Sequence, residues 1–563
     1  MYKRIILIKA LIAFVVFFHC GMATSQQRIT EQQVDQVFTT WNKPDNPGAS
    51  IAVVQNGKVI FKKGYGMASL EYNISAGPST VYQIASASKQ VTAFALLLLE
   101  SQGKLSLSDD VRKYIPELAD FGKVITLRHL LLHTSGLRDY WALLQMAGWR
   151  YDDIITKNQL LNMIFSQKGL NNQPGYEYVY SNTGYMILGE VVSRVSGMSL
   201  SDFTRDYIFK PLKMNNTLFL DNNEKVVRNL AGSYYMSSDG WKKSLLNHQI
   251  TGSTNLLTTV EDMSLWALNF ENPVVGDRNL IRKMVTRGTL DTGDSLDYAM
   301  GLETGDYKGL KLIGHRGAER GYRSLFVRFP EQRLAIIVLS NNGSIDPTDL
   351  GLKVADIILK DKFVTEGAAV TADQTTTSPA EYKGDPEIIR LCEGRYELRP
   401  GFIISITSES SSLFAEAHEV PRTRLVRTAE SEFLLPLMRA KLTFAADTAT
   451  VINKLIVELN GQKMVAPRLK PFDVSSVSPG EYTGHFFSPE LSTVYTFVNS
   501  GGNLMVKQPR IGDFTLTATE TDQFSSDKSF CNRIEFIRDG NRNITGCLLS
   551  AGRIRNIKFN KID

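Results

Sequence analysis

The sequence lacks a strong charge of either sign, and it lacks dense basic runs. Its 563 residues carry 63 Lys and Arg against 58 Asp and Glu, a formal net charge of +5 that is spread along the chain. A nucleic-acid-binding surface needs clustered Lys and Arg to contact phosphates. The composition therefore predicts no nucleic-acid partner, and a hydrophobic fraction of 43% allows a large core.

Signals for metals and for phosphate-bearing cofactors are also missing. The seven His residues lack zinc-ligand spacing with Cys or carboxylates. No glycine-rich loop is placed to hold phosphates. We therefore predict neither a metal nor a cofactor. The sequence also has no Gly-x-Ser-x-Gly elbow, which argues against an α/β-hydrolase.

Long apolar runs are absent except at the N-terminus. Residues 5–18 are almost wholly apolar, they follow a basic start, and the small residues Gly21 and Ala23 come next. This pattern is typical of a secretory signal peptide, assigned here to residues 1–25, with cleavage between Ala23 and Gln26. The alternative is a membrane anchor, but the run is short for a span of about 20 residues. We expect a secreted or periplasmic protein without a stable membrane span after cleavage.

Cysteine is scarce, and three residues remain after signal cleavage: Cys392, Cys531 and Cys547. Cys531 and Cys547 flank a predicted hairpin turn at Asp539 and Gly540 almost symmetrically. Export permits disulfides, so these two could pair across the hairpin, or they could stay free and half-buried. The sequence favours neither alternative, and Cys392 would remain unpaired.

The distribution of strand and helix patterns predicts an α+β domain over residues 26–360. Residues 49–65 alternate around an Asn-Gly turn, as a hairpin does, and 323–340 contains two more strand-like runs. Mostly helical stretches lie between them. With strands at both ends and helices in the middle, the economical solution is an antiparallel sheet with flanking helices and a helical subdomain.

The composition changes after residue 360. Residues 361–386 have the composition of a linker. Beyond them, strand-like segments repeat loosely, as in Gly-Arg-Tyr at 394–396 and Gly-Glu-Tyr at 480–482. This repeat predicts an all-β region of two antiparallel units, 387–472 and 473–563, each a small barrel or half of a larger one.

Ser86 and Lys89 form the first candidate catalytic pair. They precede a strongly apolar helical run, and residues three apart on a helix share one face. A Lys beside apolar walls and near the positive end of a helix loses proton affinity, so it can accept the Ser proton. The Ser86 amide could also bind an oxyanion. The alternative is a Ser that caps the helix and a solvated Lys.

A second motif is Tyr180-Ser181-Asn182, which follows a turn and precedes a predicted helix. Loops on a rigid scaffold often carry catalytic groups. The Tyr180 phenol could share a proton with Lys89, and the Asn182 amide could both donate to and accept from a substrate amide. The alternative is a core Tyr and an Asn that caps the next helix.

A third motif lies at the end of a predicted strand and contains His315, Gly317 and Ala318. Gly317 would let a substrate backbone approach closely, and the Ala318 N–H could be a second oxyanion donor. A lone His at a strand end is more often structural than catalytic, so this motif gains weight only beside the other two.

Together, the three motifs resemble those of the serine β-lactamase / penicillin-binding protein superfamily, in its class C-like branch. That branch includes D-alanyl-D-alanine carboxypeptidases, D-aminopeptidases and lactamase-type esterases. The segments Leu131–Leu137 and Ile208–Thr217 are also similar to patterns of this branch. The resemblance covers about residues 29–359 and implies a β-lactamase/transpeptidase-like fold. The C-terminal units resemble, more weakly, the lipocalin-like barrels appended to some members.

The resemblance implies a role for each motif residue. Ser86 is the implied acylated nucleophile, Lys89 and Tyr180 the general acid/base pair, Asn182, His315 and Gly317 the substrate-binding residues, and the amides of Ser86 and Ala318 the oxyanion hole. It implies that His133 and Ser135 support a loop and take no part in the chemistry.

One departure from the β-lactamase pattern bears on the substrate. Those enzymes usually carry Lys-Thr-Gly where this chain has His315-Arg316-Gly317. A permanent cation at that position pairs with a carboxylate, whereas His is mostly uncharged at neutral pH. Arg316 would point to the opposite face of the strand. A role in β-lactam resistance is therefore the less favoured interpretation.

The sequence thus predicts an exported serine hydrolase that acts through an acyl-enzyme. Its expected partners are small substrates, either peptides, including those with D-residues, or small esters. One alternative is a D,D-carboxypeptidase or β-lactamase acting on cell-wall peptides or β-lactams. The other is a catalytically inactive binding protein that uses the C-terminal barrels.

Overall fold

The computed structural model describes residues 30–245, 247–363, 386–417, 420–436, 440–448, 451–459 and 462–562. The predicted signal peptide lies outside these ranges, and so does nearly all of the predicted linker. Within these ranges, no helix is both long and apolar enough to cross a bilayer.

Thirteen strands and ten α-helices form the part of the chain from Glu31 to Leu359. The strands are β1 (Ala49–Gln55), β2 (Lys58–Tyr65), β3 (Met67–Ser69), β4 (Ile74–Ser75), β5 (Tyr82–Gln83), β6 (Leu218–Phe219), β7 (Tyr234–Ser237), β8 (Gly240–Lys243), β9 (Leu256–Thr258), β10 (Glu303–Tyr307), β11 (Leu310–Glu319), β12 (Tyr322–Phe329) and β13 (Leu334–Ser340). The helices are α1 (Glu31–Phe38), α2 (Lys89–Ser101), α3 (Leu127–Leu131), α4 (Tyr140–Met146), α5 (Lys157–Phe165), α6 (Asn182–Ser196), α7 (Leu200–Thr204), α8 (Val260–Glu271), α9 (Arg278–Val285) and α10 (Pro347–Leu359).

The main sheet of this region is antiparallel and has the strand order β10-β11-β12-β13-β1-β2. Both ends of the region contribute strands, because β1 pairs with β13. Side chains of β1 alternate between two cores: Ile51 and Val53 face α1 and α10, whereas Ala52 and Val54 face the large helical core. This period-2 alternation with apolar residues on both faces places the strand between two helical layers.

Helix α2 runs through the centre of the helical core. Every residue from Lys89 to Leu99 is buried, in keeping with a helix that is apolar all round. It packs on α6, and a single 3₁₀ turn, Ala85–Ser88, precedes it. Ser86 lies on this turn, and its position is therefore fixed by a helix that is almost wholly buried.

Among its described residues, the C-terminal region consists mainly of strands, together with the short helix α11 (Pro386–Cys392) and short 3₁₀ turns such as Val474–Ser476 and Pro479–Tyr482. Its first unit contains two sheets, and its second unit is a closed barrel. The first sheets comprise β14 (Gly394–Arg399), β15 (Phe402–Glu409), β16 (Ser412–Ala417) and β17 (Val420–Arg424), then β18 (Val426–Arg427), β19 (Glu432–Leu435), β20 (Ala440–Thr448), β21 (Val451–Leu459) and β22 (Gln462–Pro467). The barrel comprises β23 (Gly484–Ser488), β24 (Thr493–Ser500), β25 (Asn503–Lys507), β26 (Phe514–Glu520), β27 (Gln523–Ser525), β28 (Arg533–Arg538), β29 (Ile544–Ala551) and β30 (Ile554–Lys561).

The predicted fold class is confirmed: an α+β domain with flanking helices is followed by an all-β region that includes a barrel. The two β units differ in construction, although the loose repeat suggested two units of one kind. In the first unit, an isolated bridge between Tyr396 and Arg468 and a hydrogen bond from the Leu469 N–H to the Arg395 carbonyl join the two ends, whereas β23 pairs with β30 and closes the second unit.

The closed barrel packs directly on helix α4 of the first domain. Leu143, Met146 and Ala147 belong to the core of the barrel, and the Tyr495 hydroxyl donates to the Met146 carbonyl at 2.8 Å. Because α4 lies between the barrel and the helical core, this contact fixes the barrel beside the candidate site described below.

All three cysteines of the described residues are free and buried. Cys547 on β29 lies opposite Phe536 on β28, so the hairpin does not place Cys531 directly across from it. Burial raises the pKa of Cys392 and of Cys531 to about 12, which keeps both as thiols. Of the two alternatives that the sequence left open, the structure has the free thiols.

Candidate active site

Ser86 lies on a strained turn at the start of α2. The preceding residue, Ala85, has a φ of 49°, a left-handed conformation that costs free energy for a residue with a side chain. Local hydrogen bonds hold it: the Ala85 N–H donates to Gln83 Oε1 at 3.0 Å, and Ser88 Oγ donates to the Ala85 carbonyl at 2.6 Å. The turn presents Ser86 in a partly exposed position, whereas its neighbours are buried.

Lys89 is fully buried and points at Ser86. Its Nζ lies 3.2 Å from Ser86 Oγ, and it donates to Asn182 Oδ1 and to the Ser253 carbonyl, both at 2.8 Å. Burial lowers the pKa of Lys89 to about 7, although the charge of Asp139 opposes this shift. A large fraction of the amine is therefore neutral near pH 7 and able to accept a proton from Ser86.

Tyr180 lies over this amine. Its ring centroid is 4.9 Å from Lys89 Nζ, and its buried hydroxyl has no hydrogen-bond partner of normal length among the described residues. Burial raises the pKa of Tyr180, and an interaction with Ser86 opposes the rise. The phenol is therefore protonated at neutral pH and can donate a proton or a hydrogen bond to a reacting group.

Asn182 begins α6 and is held by Asp139. Its backbone N–H and its side-chain Nδ2 both donate to Asp139 Oδ2 at 2.8 Å. This arrangement turns the amide oxygen towards Lys89, so the first role of Asn182 in this structure is to orient the amine. The structure thus brings Ser86, Lys89, Tyr180 and Asn182 together.

The third motif lies on β11, next to the Ser86 turn, and supplies no free cation. His315 is buried, and burial lowers its pKa to about 4, so the imidazole is neutral at pH 7. Its Nε2 lies 3.1 Å from the Tyr298 hydroxyl. The exposed Arg316 side chain donates through Nε to Glu303 at 3.0 Å. Both observations agree with the departure from Lys-Thr-Gly noted in the sequence.

Gly317 lies where the Ser86 turn approaches β11 closely. It is buried, and a Cβ on it would lie 2.1 Å from the Ile84 carbonyl oxygen and 2.4 Å from Ser324 Oγ. The absence of a side chain therefore lets the Ser86 turn pack on β11. Ala318 is exposed, and β10 pairs with β11 only as far as Gly314, so β10 does not cover the Ala318 backbone.

The His-Thr-Ser-Gly-Leu segment lies behind the site. His133 is buried, and its Nδ1 accepts a hydrogen bond from the Ser181 N–H at 3.1 Å. Its ring lies 4.1 Å from the ring of Tyr180, measured between centroids. Ser135 Oγ accepts from the Leu137 N–H at 3.2 Å. The contacts of His133 place it in the support of the Tyr180 loop, whereas the Ser135 contact lies within its own segment.

Sequence reasoning missed several residues that complete the site. Asp139 orients Asn182, the Ser253 carbonyl holds Lys89, and Arg553 of the barrel lies 5.0 Å from the centroid of the Tyr180 ring. Asp139 gives a weak signal, because an Asp before a predicted helix is a good N-cap. No local pattern connects Ser253 or Arg553 with the first motif.

A serine beside a buried amine of lowered pKa, with a protonated phenol above it, is suited to acyl transfer through a covalent intermediate. The comparisons with known proteins agree with this class of site. Residues 27–356, more than half of the chain, match the Beta-lactamase family model, and the chain belongs to that family.

Two relatives differ in how much of the chain they match. Protein flp of Staphylococcus aureus (strain MRSA252) is 31% identical over 326 residues, which cover 56% of this chain and 64% of that protein. The chain therefore spans slightly less than two thirds of that relative. Penicillin-binding protein 4* of Bacillus subtilis (strain 168) is 25% identical over 458 residues, which cover 78% of this chain and 99% of that protein.

A solved structure shares the fold. The octameric penicillin-binding protein homologue from Pyrococcus abyssi matches with a TM-score of 0.54 at 22% identity. The match covers 77% of this chain and 98% of that chain, so it extends beyond the residues of the family model.

Proposed function

We propose that the protein is an exported serine hydrolase that forms an acyl-enzyme with peptides, including peptides with D-residues, or with small esters. The observation that carries this proposal is the 3.2 Å separation of Lys89 Nζ and Ser86 Oγ in a buried site where the Lys89 pKa falls to about 7. Such an amine can remove the hydroxyl proton as the nucleophile attacks.

The proposed reaction has two halves. Ser86 Oγ attacks the carbonyl carbon while its proton passes to the neutral amine of Lys89, the protonated Tyr180 phenol can donate to the reacting groups, and the backbone N–H groups of Ser86 and Ala318 stabilise the oxyanion. The tetrahedral intermediate then expels the amine or alcohol, which takes up the proton. Water attacks the resulting ester, its proton follows the same route in reverse, and Ser86 is released with the acid product.

A second candidate function is a D,D-carboxypeptidase or β-lactamase acting on cell-wall peptides or β-lactams. The similarity to a penicillin-binding protein over 78% of the chain favours it. The neutral His315 and the paired Arg316 weigh against it, because the third motif then offers no cation to a substrate carboxylate. An inactive binding protein is less favoured, since it would not need Ser86, Lys89 and Tyr180 together.

A panel of matched substrates tests these alternatives. Wild type and Ser86→Ala would be assayed with dipeptides that differ only in the chirality of each residue, with p-nitrophenyl esters and with a penicillin. The proposal expects Ser86-dependent release of amine or p-nitrophenol. Persistent acylation or hydrolysis of the penicillin, without turnover of the other substrates, would instead favour the second candidate.

A further inference from the structure

Glu319 is a buried carboxylate beside the candidate active site. It ends β11, one residue after Ala318, and its side chain is only 10% exposed. Its Oε1 lies 2.6 Å from His248 Nε2, and its Oε2 accepts hydrogen bonds from Gln83 Nε2 at 2.5 Å and from the Thr254 hydroxyl. Because a buried carboxylate needs such donors, segments that are distant in the chain together determine its position.

The His248 imidazole faces Glu319 in a fixed orientation. Its Nδ1 accepts from the Ile250 N–H at 3.3 Å, so Nε2 carries the proton that is donated to Glu319. The Trp141 ring packs edge-on against the imidazole, with ring centroids 5.5 Å apart. Burial alone would raise the pKa of Glu319, but the interaction with His248 and the other hydrogen bonds lower this pKa to about 2. Glu319 is therefore ionised at neutral pH.

Gln83 connects this carboxylate with the nucleophile turn. It is fully buried on β5, its amide nitrogen donates to Glu319, and its amide oxygen accepts from the Ala85 N–H at 3.0 Å. An ionised carboxylate accepts hydrogen bonds and donates none, so the amide nitrogen of Gln83 has to face it. The amide oxygen is consequently directed to Ala85, whose left-handed conformation needs support from its surroundings.

The two candidate oxyanion donors lie at the two ends of this connection. Ser86 follows Ala85 directly, and Ala318 precedes Glu319 directly. The link between the two donors therefore consists of one residue of chain at each end and the two hydrogen bonds of the Gln83 amide. A change in the orientation of this amide would alter the spacing of the donors.

We propose that Glu319 is a positioning residue that fixes the spacing between the candidate oxyanion donors, the backbone N–H groups of Ser86 and Ala318. The proposal rests on the proposed function and adds a residue to that site. Negative charge develops on the carbonyl oxygen only as Ser86 attacks, so the donor spacing affects the transition state more than the bound substrate. Loss of Glu319 should therefore slow acylation and leave substrate binding nearly unchanged.

Glu319→Gln tests this assignment in the full-length protein. The substitution keeps the volume but adds an amide nitrogen, which cannot accept from Gln83 and allows the Gln83 amide to turn over. In stopped-flow assays with p-nitrophenyl acetate, we expect the maximal acylation rate to fall about 10- to 100-fold. The ester concentration at half of the maximal rate should change less than about threefold. Inhibition by phenylboronic acid, which forms a tetrahedral adduct with a reacting serine, should weaken together with the rate.

Gln83→Met breaks the same connection without touching the buried carboxylate. It should slow acylation by a similar factor, and the double variant should be no slower than the slower single variant, because both residues act through one set of hydrogen bonds. The amplitude of the p-nitrophenol burst gives the fraction of active protein and corrects for unfolded molecules. If Glu319→Gln does not fold, Gln83→Met decides the question alone.

Asp262→Asn is the matched control. Asp262 is also a buried carboxylate, but it accepts from the Asn216 N–H at 2.7 Å and from the Thr217 hydroxyl at 2.8 Å, away from the nucleophile turn. Its variant should melt at a lower temperature and acylate at the wild-type rate.

Three outcomes would overturn the assignment of Glu319. These are acylation at the wild-type rate in Glu319→Gln or Gln83→Met, a loss of ester binding as large as the loss of rate, and single-variant effects that multiply in the double variant. A wild-type protein that forms no acyl adduct at Ser86 would overturn the proposed function and this assignment with it. The presence of the wild-type adduct therefore distinguishes the two failures.

Discussion

Asp139 fixes the orientation of Asn182 through two hydrogen bonds to one carboxylate oxygen, each 2.8 Å long. The amide oxygen of Asn182 consequently accepts from Lys89. Asp139 also caps α4, and the other end of that helix packs into the core of the barrel. One carboxylate thus connects the orientation of the amine with the docking of the C-terminal region.

The charge of Asp139 should affect the pH dependence of kcat/KM. Asp139→Asn keeps an oxygen that can accept both hydrogen bonds but removes the charge that raises the Lys89 pKa. We expect the acidic limb of the profile of kcat/KM for an ester to move to lower pH. Asp527→Asn, which changes an exposed carboxylate, is the control. A limb that stayed in place would show that Asp139 acts only through geometry.

In wild type, acylation should rise with pH through about 7, because the neutral form of Lys89 accepts the Ser86 proton.

The free energy of unfolding also depends on the protonation of Lys89. Its folded pKa lies below its model value of 10.5, so the unfolded chain binds more protons between these values. The free energy of unfolding should therefore rise with pH above about 7.

Lys89→Met tests how the protonation of Lys89 contributes to the pH dependence of stability, because it removes the titrating amine and keeps an apolar side chain. Between about pH 7 and 9, the free energy of unfolding from urea titrations should rise less steeply for the variant than for wild type. Acylation should be lost at every pH. Parallel stability curves would mean that Lys89 keeps an ordinary pKa in the folded protein.

Tyr180→Phe should slow acylation without lowering the stability of the protein. The buried hydroxyl has no hydrogen-bond partner of normal length among the described residues, so its removal should leave the melting temperature unchanged or raised. Acylation should nevertheless slow by about 10²- to 10⁴-fold if the phenol transfers a proton. Stopped-flow acylation and thermal melting measure the two effects.

Tyr140→Phe is the matched control for that experiment. The Tyr140 hydroxyl lies 2.7 Å from Ser253 Oγ in the buried core. Its removal leaves a buried partner unsatisfied and should cost about 1–3 kcal/mol of stability. A Tyr180→Phe variant that was destabilised as much as Tyr140→Phe, with normal acylation, would assign Tyr180 to packing alone.

The barrel should depend on a buried ion pair for its docking. Arg138 Nη1 donates to Glu490 Oε2 at 2.5 Å, and both side chains are less than 10% exposed, at 3% and 7%. Arg138 also donates to the carbonyls of Arg555 and Asn556. Arg138→Met leaves Glu490 as an unpaired buried charge, which should cost about 3–5 kcal/mol.

The urea midpoint of the barrel transition measures this loss. Lys353→Ala is the control, because it breaks an exposed pair with Asp349 that should be worth less than about 1 kcal/mol. A similar small effect for Arg138→Met would indicate that apolar contacts with α4, and not the ion pair, hold the barrel in place.

Local patterns predicted those parts of the site that one helix or one turn determines. The apolar run after Lys89 predicted a buried helix, and the spacing of Ser86 and Lys89 predicted their contact, because both depend on 3.6-residue periodicity. The alternation around β1 predicted a hairpin for the same kind of reason. The fold class followed from the order of these elements along the chain.

Residues that reach the site by tertiary packing could not be predicted in this way. The Ser253 carbonyl lies 164 positions from Lys89 along the chain, and Arg553 comes from a separate β unit. Gly317 shows another limit. A glycine on a strand indicates a close approach, but only the fold reveals that the Ile84 carbonyl approaches Gly317.

The most direct measurement is a stopped-flow burst with a p-nitrophenyl ester on wild type and on Ser86→Ala, with intact-mass analysis of the quenched protein. Because Lys89 Nζ lies 3.2 Å from Ser86 Oγ, we predict a burst and an acyl mass adduct in wild type, both absent from the variant. An adduct of the same size in both proteins would contradict the assignment of Ser86 as the nucleophile.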